Sequence, residues 1–279
     1  VLLYLPDDMS LSELQVGFVV SAMLLGACCM SVVAGQLVDW LSRKWCIMMT
    51  SALFIISAAI LALATNFALL LLGRFLTGVS IALSVIADNL YVAEISPSHF
   101  RGSLVCIMEF CVTLGVLMSA LVNLAIANMG ISHPWRVMFA CSGVPALPQI
   151  VAMLFLPHTP RWLASRDRLT DAEASLQFFS GNTLTQEELQ AELGRIQAHL
   201  HELCAEEGGL DLPVNPIARV RTVRGGVRTV LLGCGLALLV QLSGIPNVTF
   251  FAPLIFQAAG LASDNAALIA TVVLGAFKA

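Results

Sequence analysis

Asp39 is followed at four and five residues by Arg43 and Lys44, within the ten residues Gly35 to Lys44 that separate a pair of long apolar runs. One acid and two bases at the edge of hydrocarbon can staple neighbouring helix ends through charge-assisted hydrogen bonds. Held only at that edge, the staple can also be undone, as a moving membrane protein requires. Five further ionisable residues fall inside or at the ends of apolar stretches: Arg74, Asp88, Glu94, Glu109 and Lys278. A charge at the centre of a bilayer costs at least about 2.5–3.5 kcal/mol, so each carries a functional presumption. Arg74, about two turns into its stretch, reads as a structural partner for a carbonyl or carboxylate. Asp88 and Glu94 read as latch acids or wetted groups. Glu109 and Lys278 have no charge near them in sequence, and a water-filled cavity would explain both.

The elements that must position these groups follow from composition. Apolar residues make up 58% of the 279 and charged residues 11%, which excludes an ordinary soluble domain. Crossing ~30 Å of hydrocarbon takes about 20 largely apolar helical residues. Such runs predict helices near 15–38, 45–64, 67–93, 103–129, 136–156 and 229–256, with another beginning near 265. The fold class is all-α and polytopic. Arg43, Lys44, Arg101 and the eight Lys and Arg residues of 157–228 lie on one side, against Arg136 alone in loops on the other, so the first side reads as cytoplasmic. That orientation puts the N-terminus outside with nothing ahead of it to carry it across. The expectation is therefore a fragment lacking at least one helix before Val1 and some length after Ala279.

Residues 157–228 change composition to that of a soluble helical linker between a first transmembrane bundle, 1–156, and the start of a second, 229–279. Thr170 to Glu173 and Thr185 to Glu188 both read as capping boxes, opening short helices near 171–179 and 186–206. Arg219, Arg221, Arg224 and Arg228 precede the next span, where cations meet anionic headgroups. They read as a membrane anchor, with no nucleic-acid role. The eight cysteines lie mostly in spans and read as buried free thiols. No CxxC pair occurs, and His199 and His201 point to different helix faces, so no metal and no cofactor is expected. Gly115 and Gly235 read as helix-contact positions.

Several motifs together resemble one family. Gly35 to Lys44, Gly73-Arg74, Tyr91 to Pro97, Arg101-Gly102, Trp135-Arg136, Pro157 to Leu163 and Gln241 to Gly244 fall in the order and spacing of the sugar porters of the major facilitator superfamily. The chain resembles that family's second to seventh helices and the start of the eighth. Pro246-Asn247, Glu109 and Lys278 look most like the type 12-like branch of the class III facilitative glucose transporters. The resemblance implies two six-helix bundles rocking about a central site for a hexose or related polyol, in the lipid bilayer of the plasma membrane or an endomembrane, with protons as candidate companions.

By that resemblance Gln241 falls on the family's sugar-binding Gln, and Phe250 and Phe251 on its extracellular aromatic gate. Amides suit sugar hydroxyls because they both donate and accept, and aromatic faces cover the C–H surface of the ring. The implied substrate wall is Gln241, Asn247, Glu109, Phe250, Phe251 and Lys278. The implied latch is Asp39, Arg43, Lys44, Glu94, Arg101 and Arg161. Departures put a standard glucose selectivity in question: Glu109 stands for a Gln, Val240 for the first of a paired Gln, Pro246 and Lys278 each for an Asn. In the latch, Ser42 stands for a Gly and His158 for a Glu. Glu109 and Lys278, brought to opposite sides of one cavity, either pair and keep both charges or stand apart. In the second case, favoured because sugar must pass between them, Glu109 is a neutral, hydroxyl-like ligand. Two other classes compete: a transporter-like sensor that binds without moving sugar, and an intramembrane enzyme, for which no convergent nucleophile and base are found.

Overall fold

The computed structural model describes residues 11–96, 101–181, 185–208, 226–244 and 264–278, with isolated positions at 4, 9, 248, 251, 252, 255, 256, 258 and 259. Eleven helices are described: α1 (Glu13–Leu41), α2 (Arg43–Ala62), α3 (Phe67–Ile95), α4 (Arg101–Asn128), α5 (Pro134–Ser142), α6 (Ala146–Phe155), α7 (Pro160–Ser165), α8 (Leu169–Phe179), α9 (Gln186–Gly208), α10 (Gly226–Leu242) and α11 (Asp264–Lys278). No strand occurs among the described residues. Among the described residues, five segments are long and apolar enough to cross a membrane: Leu14–Leu41, Arg43–Ala62, Phe67–Ile95, Gly102–Asn128 and Pro134–Phe155. The first five predicted spans are there, displaced by a few residues. The last of these is broken into α5 and α6 around Gly143 and Pro145, where the proline lacks the N–H that would continue the ladder.

Helix starts are fixed by short polar side chains. Ser12 and Gln15 form a reciprocal capping box at α1, which the sequence reading missed, and Asn66 Oδ1 accepts from Leu69 N at 2.9 Å to open α3. At α9 the predicted box is present, with Thr185 N donating to Glu188 Oε2 at 2.9 Å and Glu188 N to Thr185 Oγ1 at 3.4 Å. At α8 it is not. That helix starts two residues early behind Arg168, with no side-chain cap, and Glu173, the acid the box would use, accepts instead from Gln190 Nε2 at 3.3 Å.

Among the described helices α3 is central, with α1 and α2 packed along it and α5 and α6 against α2. Lipid tails are as apolar as leucine, so spans associate by close packing of small residues. A Cβ on Gly78 would lie 1.9 Å from Met23 O, and one on Gly26 2.2 Å from Phe75 O. These two glycines let the backbones of α1 and α3 touch. Gly115 and Gly235, predicted for that role, meet no described atom within 4 Å. Two buried clusters pin the bundle, one around Leu61, Leu70, Trp135 and Phe139 and one around Val38, Cys46, Ile47, Leu83 and Tyr91. Of the described cysteines only Cys46 is buried, whereas Cys28, Cys29, Cys106, Cys111 and Cys234 are exposed. The outer helix faces are apolar, so a thiol there needs no protein neighbour to be free of water.

Candidate functional site

The turn from α1 to α2 is the single residue Ser42, at φ 89° and ψ 149°. That region of backbone space is essentially glycine's. Ser42 is held there from two sides: its Oγ accepts from Trp45 N at 3.5 Å, capping α2, and lies 3.1 Å from His158 Nδ1. The sharp turn sets Asp39, in the last turn of α1, beside Arg43, the first residue of α2.

Arg43 Nη2 is 2.9 Å from Asp39 Oδ1 and 3.0 Å from Glu94 Oε1 at the end of α3. The two halves of this triad differ in strength. The Asp39 side chain is 72% exposed, and exposed pairs contribute at most about 1 kcal/mol. Glu94 is 7% exposed, and removing one partner of a buried pair costs about 3–5 kcal/mol. Glu94 is further fixed by Thr159, whose hydroxyl donates to Oε2 at 2.6 Å.

Around the triad, side chains satisfy the carbonyls that helix C-termini leave unpaired. Lys44 Nζ donates to Leu156 O at 2.7 Å and Leu154 O at 3.4 Å, closing α6. Trp162 Nε1 donates to Asp39 O at 3.3 Å and Arg166 to Trp40 O at 3.0 Å, closing α1 from the side of α7. Tyr91 donates to Pro157 O at 2.9 Å, and Ser175 on α8 to His158 O at 2.5 Å. The His158 ring stacks on Trp162, centroids 5.2 Å apart at 26°, and Arg166 lies over Trp162 at 5.5 Å. Burial pushes the His158 imidazole below its ordinary range, and Lys44 and Arg168 push it the same way. α1, α2, α3 and α6 are thus cross-braced to α7 and α8 at one end by polar side chains.

Of the implied latch, the structure brings Asp39, Arg43, Lys44 and Glu94 together. Arg161 lies half-buried on α7, and Arg101 opens α4 with its side chain outside the described residues. Of the implied substrate wall, Gln241 is in the last turn of α10 and Lys278 ends α11, both with side chains outside the described residues. Asn247 and Phe250 fall outside altogether, and Phe251 is half-buried in a helical turn. Glu109 is exposed on α4. α11 packs against α4, with Gly275 beside Leu117, so the helices bearing Lys278 and Glu109 are neighbours.

Arg74 is half-buried with its guanidinium over the Phe139 ring, 4.8 Å to its centroid, and its Nε buried and unpartnered. An aromatic face stands where a carbonyl or carboxylate was expected. Asp88 accepts from Ser84 Oγ at 2.6 Å and Gln149 Nε2 at 3.4 Å. It joins α3 to α6 through Gln149, whereas the acids that meet Arg43 are Asp39 and Glu94.

The family described as "Sugar (and other) transporter" matches residues 5–279. The chain belongs to that sugar transporter family. It is 32% identical over its whole length to "Probable inositol transporter 2" of Arabidopsis thaliana, covering 47% of that protein. It is 33% identical to "Solute carrier family 2, facilitated glucose transporter member 12" of Xenopus laevis, over 99% of the chain and 45% of that protein. Among solved structures, the proton:xylose symporter XylE bound to 6-bromo-6-deoxy-D-glucose superposes with a TM-score of 0.76 at 26% identity, over 95% of this chain and 58% of that one. The architecture is accordingly that of the major facilitator superfamily, and the protein is a multi-pass integral membrane protein. The chain spans about half the length of the curated relatives it matches.

Sequence reasoning passed over the contacts Ser42–His158, Thr159–Glu94, Trp162–Asp39 and Arg166–Trp40, which join residues 65 to 126 apart. One signal was available: Ser42 and His158 are the two latch positions where the sequence leaves the sugar porter pattern, and they touch.

Proposed function

We propose that the full-length protein moves a hexose, or a related sugar or polyol, across its membrane by alternating access. Residues 1–156 belong to the first bundle, 157–228 are a cytoplasmic linker domain, and 229–279 begin the second bundle. The observation that supports this most is the superposition of 95% of the chain on a xylose symporter that holds a sugar analogue. The relatives carry polyol, inositol and glucose transporter names, which widens the substrate class beyond hexoses. In this reading Gln241, Asn247, Glu109, Phe250, Phe251 and Lys278 face the solute. Asp39, Arg43, Lys44, Glu94, Arg101 and Arg161 close the cytoplasmic side while the outer side is open, and the membrane is the plasma membrane or an endomembrane. Contacts made in one state only are what bias such an equilibrium.

The test is uptake of radiolabelled hexoses, pentoses and polyols by sugar-uptake-deficient cells expressing the full-length protein, with and without a protonophore. Uptake of at least one solute above vector control is expected, and a protonophore-sensitive component identifies proton coupling. Saturable binding without uptake of any solute would replace transport by sensing.

A further inference from the structure

Trp40 in the last turn of α1 and Trp45 in the first turn of α2 flank the Ser42 turn, and they are 69% and 51% exposed. Both stand at the ends of membrane-spanning segments. Tryptophan in that position lies at headgroup depth, its ring against acyl chains and its N–H toward water. The Ser42 turn therefore marks the edge of the bilayer. Arg166, the C-cap residue of α7, is brought to the same depth. Its Nη2 donates to Trp40 O at 3.0 Å, and its guanidinium lies over the Trp162 ring, 5.5 Å to the centroid. That indole is itself fixed by its bond to Asp39 O and by the stacked His158 ring. An exposed guanidinium is thus held in place by neutral partners.

Charge decides what such a group takes. Among the described residues Arg43, Arg168 and Arg195 each lie within 3.0 Å of a carboxylate, whereas Arg166 pairs with none. A carbonyl satisfies one N–H and leaves the positive charge whole. Lys44, which donates to Leu154 O and Leu156 O on the other flank of the turn, keeps its charge in the same way. Two acids lie close in sequence. Asp39 is engaged by Arg43, and Asp167, exposed beyond the end of α7, offsets part of the field without occupying the guanidinium. The planar fork carries five N–H groups, so one carbonyl leaves an edge free for a bidentate acceptor. Phosphate matches that edge. At headgroup depth the phosphate within reach is a lipid's.

We propose that Arg166 and Trp40 form a binding site for an anionic phospholipid, with the phosphate on the free edge of the guanidinium and the start of an acyl chain along the Trp40 ring. An anionic headgroup is preferred because a zwitterionic one brings its own cation to the phosphate and leaves less charge for Arg166 and Lys44 to meet. Occupied, the site ties α7 to the bilayer edge at the point where Arg166 already joins it to α1.

The test uses the full-length protein, delipidated in detergent and titrated with phosphatidylglycerol, phosphatidylcholine or glycerol 3-phosphate, with bound molecules counted by native mass spectrometry. One phosphatidylglycerol held more tightly than the rest is expected. R166Q should bind it about 5-fold more weakly, the loss expected for one cation at an anionic surface. R166K, which keeps the charge and loses the fork, should fall between parent and R166Q. R195Q, at an exposed linker cation already paired with Glu192, should bind as the parent does. Because R166Q also removes the bond to Trp40 O, W40A supplies a second arm that keeps that carbonyl. Its affinity for phosphatidylglycerol should fall while hydrogen exchange of residues 160–168 without lipid stays at the parent rate. Equal affinity in parent, R166Q and W40A overturns the site, as does a parent that retains no lipid. Equal binding of phosphatidylcholine would reduce it to an unselective belt contact, and displacement of the lipid by glycerol 3-phosphate would make it a site for free anions; either result overturns the proposal. No arm uses a sugar, so the outcome is independent of the transport reading.

Discussion

Ser42 stores strain that its hydroxyl offsets, and two substitutions separate the terms. Ser42→Ala removes both hydrogen bonds and keeps the left-handed backbone, whereas Ser42→Gly removes the same bonds and the strain with them. An unfavourable φ,ψ pair costs about 1–3 kcal/mol, and glycine gives back about 0.4–1 kcal/mol through a freer unfolded chain. S42G should therefore unfold at a higher temperature than S42A in detergent. Equal midpoints would show that the turn is relaxed. At the substrate side, Gln241 in the last turn of α10 is the residue the family pattern gives to sugar. A buried amide with one or two neutral hydrogen bonds contributes about 1–3 kcal/mol once unpaired groups are included. Gln241→Ala should raise the half-saturation concentration for the transported solute by about 5- to 150-fold, with surface expression near normal. Unchanged affinity for every solute would take Gln241 out of the site.

At the scale of elements, the proposed latch is a set of helix ends, and its geometry was only half legible in the sequence. The apolar runs located the five spans found among the described residues, because hydrocarbon imposes one length on every helix, and the spacing of Asp39, Arg43 and Lys44 marked the turn between two of them. Which acid Arg43 would meet, and that Lys44 would close α6 and not pair with an acid, depends on how α3 and α6 approach the turn. Periodicity does not encode that. The capping box expected at Thr170 failed for a related reason: its acid, Glu173, accepts from Gln190 on α9, a partner that local pattern rules do not weigh. Arg101 opens α4. If its contacts cross to the second bundle in the outward-facing state, neutralising it removes an interaction made in that state only. Arg101→Gln should shift the carrier toward inward-facing, read as faster labelling of a cysteine reporter on the cytoplasmic side and slower labelling on the outer side. Equal labelling of both reporters in variant and parent would remove Arg101 from the latch.

For the whole molecule, the transport reading asks what the acid Glu109 and the base Lys278 do on neighbouring helices. Glu109 is exposed on α4, and Lys278 ends α11, which packs along α4 with Gly275 beside Leu117. At about 1.5 Å of rise per residue, Lys278 lies about 4.5 Å along its helix from that contact and Glu109 about 12 Å along the other. The two backbones are therefore offset by at least about 7 Å along the helix axes. A direct pair would need the lysine stretched along the helices, across the route a sugar takes. That geometry favours Glu109 as a hydrogen-bonding ligand standing in for the family's glutamine over an ion pair with Lys278. Glu109→Gln should then preserve both the rate of uptake and its dependence on external pH, measured in cells expressing the full-length protein. A pH profile flattened by the substitution would mean that Glu109 titrates during the cycle and that the pair with Lys278 carries its charge. Loss of uptake at every pH, in a variant that reaches the membrane and folds, would contradict both arrangements and place Glu109 outside the route of the solute.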